Sequence, residues 1–316
     1  MKQQNKIIVL VLLMGTIIAL FMLYNTGPNL DYVIPRRAVR LATILLVGVS
    51  VAYSSLIFQT ITNNKILTPA IMGYESVFIL FQTVIVFIYG DKTFQVITHQ
   101  DNFFYAVLLM MAFSFLMYIL IFGKSKQNIY HLLLLGLVLG ALFQTFGQFL
   151  QIVIDPNEFS VIQGFMFVSF NKINTDLLLI AGATLLGALL FGQRYLKYLD
   201  VIALGREHAV NLGLNYNKLV KIYMLLISLL VSVSTALVGP VTFLGILVTN
   251  LTYELFQTRK HHYMVWLCSG IACVALLLGQ FLVEHIFNFS TTVSIVVNFV
   301  GGLYFMYLML KTRKAI

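Results

Sequence analysis

The chain has 316 residues, of which 60% are hydrophobic and only 10% charged. Soluble domains carry about 25% charged residues, so a water-soluble globule is excluded and an integral membrane protein is required. The formal net charge of +9 would suit a nucleic-acid surface in a soluble protein, but here its distribution follows membrane topology.

At the N-terminus, Lys2 and Lys6 precede an apolar run over residues 7–24. That run is long for a signal peptide and no Ala-x-Ala site follows, so it is expected to be a retained first span. Further apolar runs predict spans at 41–61, 70–89, 103–122, 129–150, 176–192, 218–238, 240–256, 263–284 and 293–310. The runs at 176–192 and 240–256 are short, suited to tilted or partly re-entrant helices. The expectation is one all-α polytopic domain over residues 1–316, with about ten transmembrane helices. With both termini inside, only Arg36, Arg37, Arg40, Lys92 and Lys172 of the 20 basic residues fall outside. This is the positive-inside bias, and it sets the orientation.

Arg36, Arg37 and Arg40 run against that bias. Arg37 and Arg40 share a helical face; they suit either lipid phosphates or acidic side chains of an external partner. In the second span, Ser50, Ser54, Ser55 and Gln59 are polar, and in the fifth Gly136, Gly140, Gln144 and Gln148 recur every four residues. Steps of four drift about 40° each, giving one winding stripe fit for close packing or for a polar pathway wall. Glu75 and Glu254 lie near span ends, where solvation can carry their charge.

A polar segment, residues 193–217, interrupts the apolar chain. Leu204, His208, Ala209 and Leu212 fall at helical spacing, with Gly205 and Gly213 able to turn the backbone at either end. On periodicity alone this is either a helix lying on the bilayer surface or one that presses on a partner. Cys268 and Cys273 stand five positions apart, on different helix faces and too distant for a disulfide or a metal pair. The six histidines are scattered, and adjacent His261 and His262 have no carboxylate or cysteine at ligand spacing. No metal site, no catalytic residues and no Gly-x-x-x-x-Gly-Lys-[Ser/Thr] phosphate loop are read, so ATP hydrolysis by that route is excluded.

Four segments together resemble the permease family of bacterial importers for iron–siderophores, haem and vitamin B12. They are Arg37-Ala-Val-Arg40 leading to Gly48; Gln59 through Asn64, Pro69 and Gly73; Ala203-Leu-Gly-x-x-x-Ala-x-x-Leu-Gly213; and Gly239-Pro-Val-Thr-Phe-Leu-Gly-Ile246. The resemblance spans roughly residues 30–312 and rests on the order and spacing of these segments. It implies a type II ATP-binding-cassette importer permease in the bacterial cell membrane, working with a second permease copy or paralogue. Separate ATPase subunits would hold ATP and magnesium, leaving no cofactor in this chain, and an extracellular substrate-binding lipoprotein would deliver the cargo. Arg37 and Arg40 would dock that lipoprotein. Leu204, Gly205, Arg206, Glu207, Ala209, Leu212 and Gly213 would couple to the ATPase. Gln59, Gln144 and Gln148 are the expected pathway wall, and membrane lipid, not nucleic acid, surrounds the rest.

The chain departs from the family pattern at Lys65, where proline is usual, and at Thr249, Asn250 and Tyr253, where Pro-His and then Arg often stand. Near the last span the family commonly has a third outer arginine; here Glu284 and His285 occupy that region, putting a third docking contact in doubt. These differences look like those of a Gram-positive ferric-siderophore permease. Haem or cobalamin is the alternative cargo. An ion-coupled secondary transporter would show mid-span charges and an inverted repeat, which the sequence does not display.

Overall fold

The structure, a computed structural model, describes residues 3–313 apart from residues 27, 123–128, 172, 257 and 259. Of the 20 basic residues that set the orientation, Lys2, Lys124, Lys126, Lys172, Arg259 and Lys314 lie outside the described residues. The helices are α1 (Gln3–Leu23), α2 (Leu30–Thr62), α3 (Tyr74–Tyr89), α4 (Thr93–Val96), α5 (His99–Phe122), α6 (Ile129–Val153), α7 (Pro156–Met166), α8 (Thr175–Gln193), α9 (Leu196–Ile202), α10 (Arg206–Asn211), α11 (Tyr216–Val238), α12 (Leu244–Leu255), α13 (His261–His285) and α14 (Val293–Arg313). Among the described residues, seven helices are long and apolar enough to cross a membrane; α3 and the Val293–Tyr307 part of α14 are shorter apolar helices. With α12 they make the ten expected.

Boundaries moved where local chemistry competes with hydropathy. Helix α2 starts 11 residues before the predicted span, because Leu30–Arg40 is helical but too polar to register as lipid-facing. The 70–89 span divides into a 3-10 turn, Pro69–Met72, and α3, with Gly73 at φ +89° between them. That conformation suits glycine, and a Cβ on Gly73 would lie 2.9 Å from Gly140 Cα. The 240–256 span becomes α12 only from Leu244, since Gly239 at φ +99° ends α11. Helices of 16 and 12 residues reach about 24 and 18 Å, short of a bilayer core of about 30 Å.

Non-helical backbone at membrane depth survives only where protein or a cavity satisfies it. Here Ser169 N–H donates to Val238 O at 2.9 Å and Val168 N–H to Ser294 Oγ at 2.6 Å, so the chain after α7 seals the end of α11. Helix α7 itself was not predicted. It opens on Asp155, which accepts from Asn157 N–H at 2.9 Å, with Pro156 at its first position, and it buries Ile162 against Val86 and Ile154.

The core is built around α2. Small residues let α13 approach it: a Cβ on Gly48 would stand 3.1 Å from Cys273 Sγ. Hydroxyls on α2 donate to carbonyls one turn back (Thr43 to Val39, Ser50 to Leu46, both 2.8 Å), which satisfies them without cross-helix partners. A buried trio, Tyr74, Ser114 and Ser228, ties α3, α5 and α11 together.

Candidate functional site

At the outer end, α2 carries the arginine cluster. Arg37 is only 6% exposed. Its guanidinium donates to the carbonyls of Phe21, Met22 and Tyr24 at 3.1, 3.2 and 2.8 Å, and to Asn25 O at 3.5 Å. The first two are carbonyls that the last turn of α1 leaves without intrahelical donors, so Arg37 caps α1. The expectation that Arg37 presents its charge outward is therefore corrected. Arg40 is partly exposed and pairs with Glu284 at 3.4 Å, and Arg37 reaches the same carboxylate at 3.8 Å. Thus Glu284 supplies an internal counter-charge where a third arginine was sought. Arg36 is exposed, its guanidinium 4.2 Å from the centroid of the Tyr32 ring.

At the inner end, the segment 193–217 folds as two short helices, not one. Helix α9 buries Leu196, Leu199 and Ile202. Gly205 at φ +101° then redirects the chain into α10, and Gly213 at φ +82° ends it. Both glycines are needed for these positive φ angles. The break puts Leu204 out of register with α10, so the expected apolar face is not shared. Ala209 is buried, whereas Leu204 and Leu212 are 59% and 64% exposed. Arg206, Glu207 and His208 are exposed around them, with Arg206 also 5.9 Å from the Tyr216 ring centroid. This leaves an exposed apolar patch ringed by charge on the inner side.

Gln59 does not line an open path. It is buried and donates to Lys65 O and Thr249 Oγ1, both at 2.8 Å, pinning the chain after α2 to α12. Asn250 donates to the same Lys65 carbonyl at 3.0 Å. Gln144 and Gln148 are exposed on α6, but they have left the glycine stripe. Gly136 and Gly140 pack on Met72 and Gly73, and contact continues through Gly147, which approaches Leu80. A helix keeps one face in contact only by averaging 3.6 residues per turn, so a strict spacing of four drifts off it.

Two further features were not placed by the sequence. Glu75 Oε2 accepts from Thr242 Oγ1 at 2.8 Å beside a small cavity lined with Ser54, Ser55, Thr68, Ser234 and Thr235. Glu254 accepts from Tyr304 at 2.9 Å. Second, His261 does have a carboxylate beside it. Asp200, distant in sequence, lies 2.7 Å from its Nδ1. No spacing rule on a single chain signals that pair, because the fold alone brings α9 to the start of α13.

Membrane-crossing helices, with an arginine cluster at one end and an exposed apolar patch ringed by charge at the other, define a multi-pass membrane protein. The family follows from comparison: residues 7–311 match the FecCD transport family, and the chain belongs to it. It is 49% identical over 315 residues, covering all of both chains, to the petrobactin import system permease protein YclO of Bacillus subtilis. It is 30% identical to the petrobactin permease FatC of Bacillus anthracis, over 91% of this chain and 81% of that one. A solved structure described as an inward-facing conformation of a metal-chelate type ABC transporter superposes with TM-score 0.85 over 98% of this chain and 100% of the other, at 20% identity. The chain is therefore an importer permease, a multi-pass protein of the cytoplasmic membrane and not an enzyme, and its family works with ATPase and substrate-binding partners.

Proposed function

We propose that this chain carries ferric siderophores inward, with ferric petrobactin the first cargo to test. The observation that carries this reading is the full-length identity of 49% to a petrobactin permease. Relatives that handle iron–hydroxamate and hemin are 26% and 24% identical, which makes those cargoes, and cobalamin, the alternatives. ATP and magnesium belong to a partner ATPase that grips the exposed Leu204 and Leu212, which flank α10 at its two ends. A second permease, identical or paralogous, completes the pathway and covers Gln144 and Gln148. On the outer side Arg40, with Arg36 beside it, offers guanidinium groups to carboxylates of the binding lipoprotein.

The test is radio-iron uptake in a strain lacking this gene, with and without the gene restored. Iron is given as petrobactin, as a hydroxamate siderophore and as haem, with labelled cobalamin alongside. Loss and rescue confined to petrobactin is the expected result. Loss confined to haem or cobalamin would replace the cargo, and unchanged uptake of every compound would refute the reading.

A further inference from the structure

The exposed patch on α10 has to act on the transmembrane helices through the elements it touches, and these are α9 and α11. Helix α9 in turn packs on α2 and α13. At that junction three side chains form a continuous chain. His261 N–H and His261 Nδ1 both meet Asp200 Oδ1, at 2.8 and 2.7 Å, and His261 Nε2 meets Thr60 Oγ1 at 2.9 Å. A carboxylate only accepts, so Nδ1 carries a proton toward Asp200. The single Thr60 hydroxyl hydrogen is shared between His261 Nε2 and the Leu56 carbonyl, at 2.9 and 2.8 Å. Thr60 and His261 are buried; Asp200, on α9 itself, is the partly open end of the chain.

Each member stands on a different rigid element at a position that matters for transmission. Asp200 is near the end of α9, five residues before Gly205, where the chain turns into α10. His261 is the first residue of α13, and Lys260 just before it makes no side-chain cap. Asp200 therefore caps α13 from another helix, taking one of the N–H groups a helix start leaves free. Thr60 is in the last turn of α2, the helix against which α13 packs. Apolar contacts between these elements resist separation but slide; a directional hydrogen-bond chain resists shear as well.

We propose that Asp200, His261 and Thr60 form the strut that transmits displacement of the α9–α10 segment to α2 and α13, and so couples the ATPase to the pathway. These are positioning residues, and the proposal rests on the function proposed above. Differential interactions in two states must supply such coupling, typically 1–3 kcal/mol, or about 5- to 150-fold in an equilibrium.

The test uses the assembled importer, with its ATPase and binding lipoprotein, in proteoliposomes. Ferric petrobactin taken up and ATP hydrolysed are measured together, with thermal unfolding of the complex alongside. Thr60→Val keeps the shape and removes the hydroxyl; Thr60→Ser keeps the hydroxyl. Asp200→Ala removes both bonds to His261, and Asp200→Asn keeps an acceptor oxygen. Cargo moved per ATP is expected to fall about tenfold in Thr60→Val and Asp200→Ala, with assembly retained and with Thr60→Ser and Asp200→Asn close to the unmodified protein. Uptake per ATP within twofold of the unmodified complex in both Thr60→Val and Asp200→Ala would overturn the strut. A loss that tracks unfolding temperature in all four variants, with the ratio preserved among assembled complexes, would also overturn it by making the role merely structural. Absence of ATP-driven uptake of petrobactin, a hydroxamate siderophore, haem and cobalamin alike by the unmodified complex would instead refute the proposed function, and the strut with it.

Discussion

Arg37→Ala separates a buried cap from a docking contact. The substitution removes donors to four carbonyls and one of the two arginines at Glu284. Breaking a buried, hydrogen-bonded charge pair costs about 3–5 kcal/mol, because the remaining group stays desolvated. The helix-end contribution, about 0.3–1 kcal/mol, is smaller and is already counted in that cost. Arg40 still neutralises Glu284 in part, which favours the lower end, about 3 kcal/mol. For a chain of this size that corresponds to a fall of about 6 °C in unfolding temperature, at roughly 2 °C per kcal/mol. Thermal unfolding of the purified permease in detergent, with no binding lipoprotein present, reads the effect directly. Arg37→Lys, with a point charge in place of a fork, should recover only part of it. An unshifted unfolding temperature in Arg37→Ala combined with abolished uptake would refute the cap and restore Arg37 to the docking face.

The other predictions divide the sites from the scaffold. Arg40→Gln should impair uptake and weaken lipoprotein binding, while membrane insertion is kept and stability changes by no more than about 1 kcal/mol, as for other partly exposed pairs; uptake assays with a pull-down check this. Leu204→Asp with Leu212→Asp should release the ATPase in co-purification without destabilising the permease, because both side chains are already exposed. Gly140→Val should destabilise by about 1–3 kcal/mol, since its Cβ would stand 3.0 Å from Gly73 Cα. Gly164→Ala, with nothing within 4 Å, should instead be neutral or stabilising by up to about 1 kcal/mol, both read by thermal unfolding.

Hydropathy and charge determined much of this protein from sequence: the membrane class, the ten apolar segments, the orientation and the position of the inner polar segment. These are properties of stretches, and the bilayer selects on stretches. Gly205 and Gly213 were legible for the same local reason, since a positive φ is a one-residue property. Tertiary structure decided which polar groups are spent inside and which are free. Nothing local distinguishes Arg37 from Arg40, three positions apart; the end of α1 arrives over one and not the other. Gln59 likewise belongs to Lys65 and Thr249 only once α12 folds beside α2. Asp200 and His261 are 61 positions apart, and their contact exists because α9 and α13 meet. Spacing along a chain specifies faces of one helix, whereas partners between helices depend on packing that a single sequence leaves unstated.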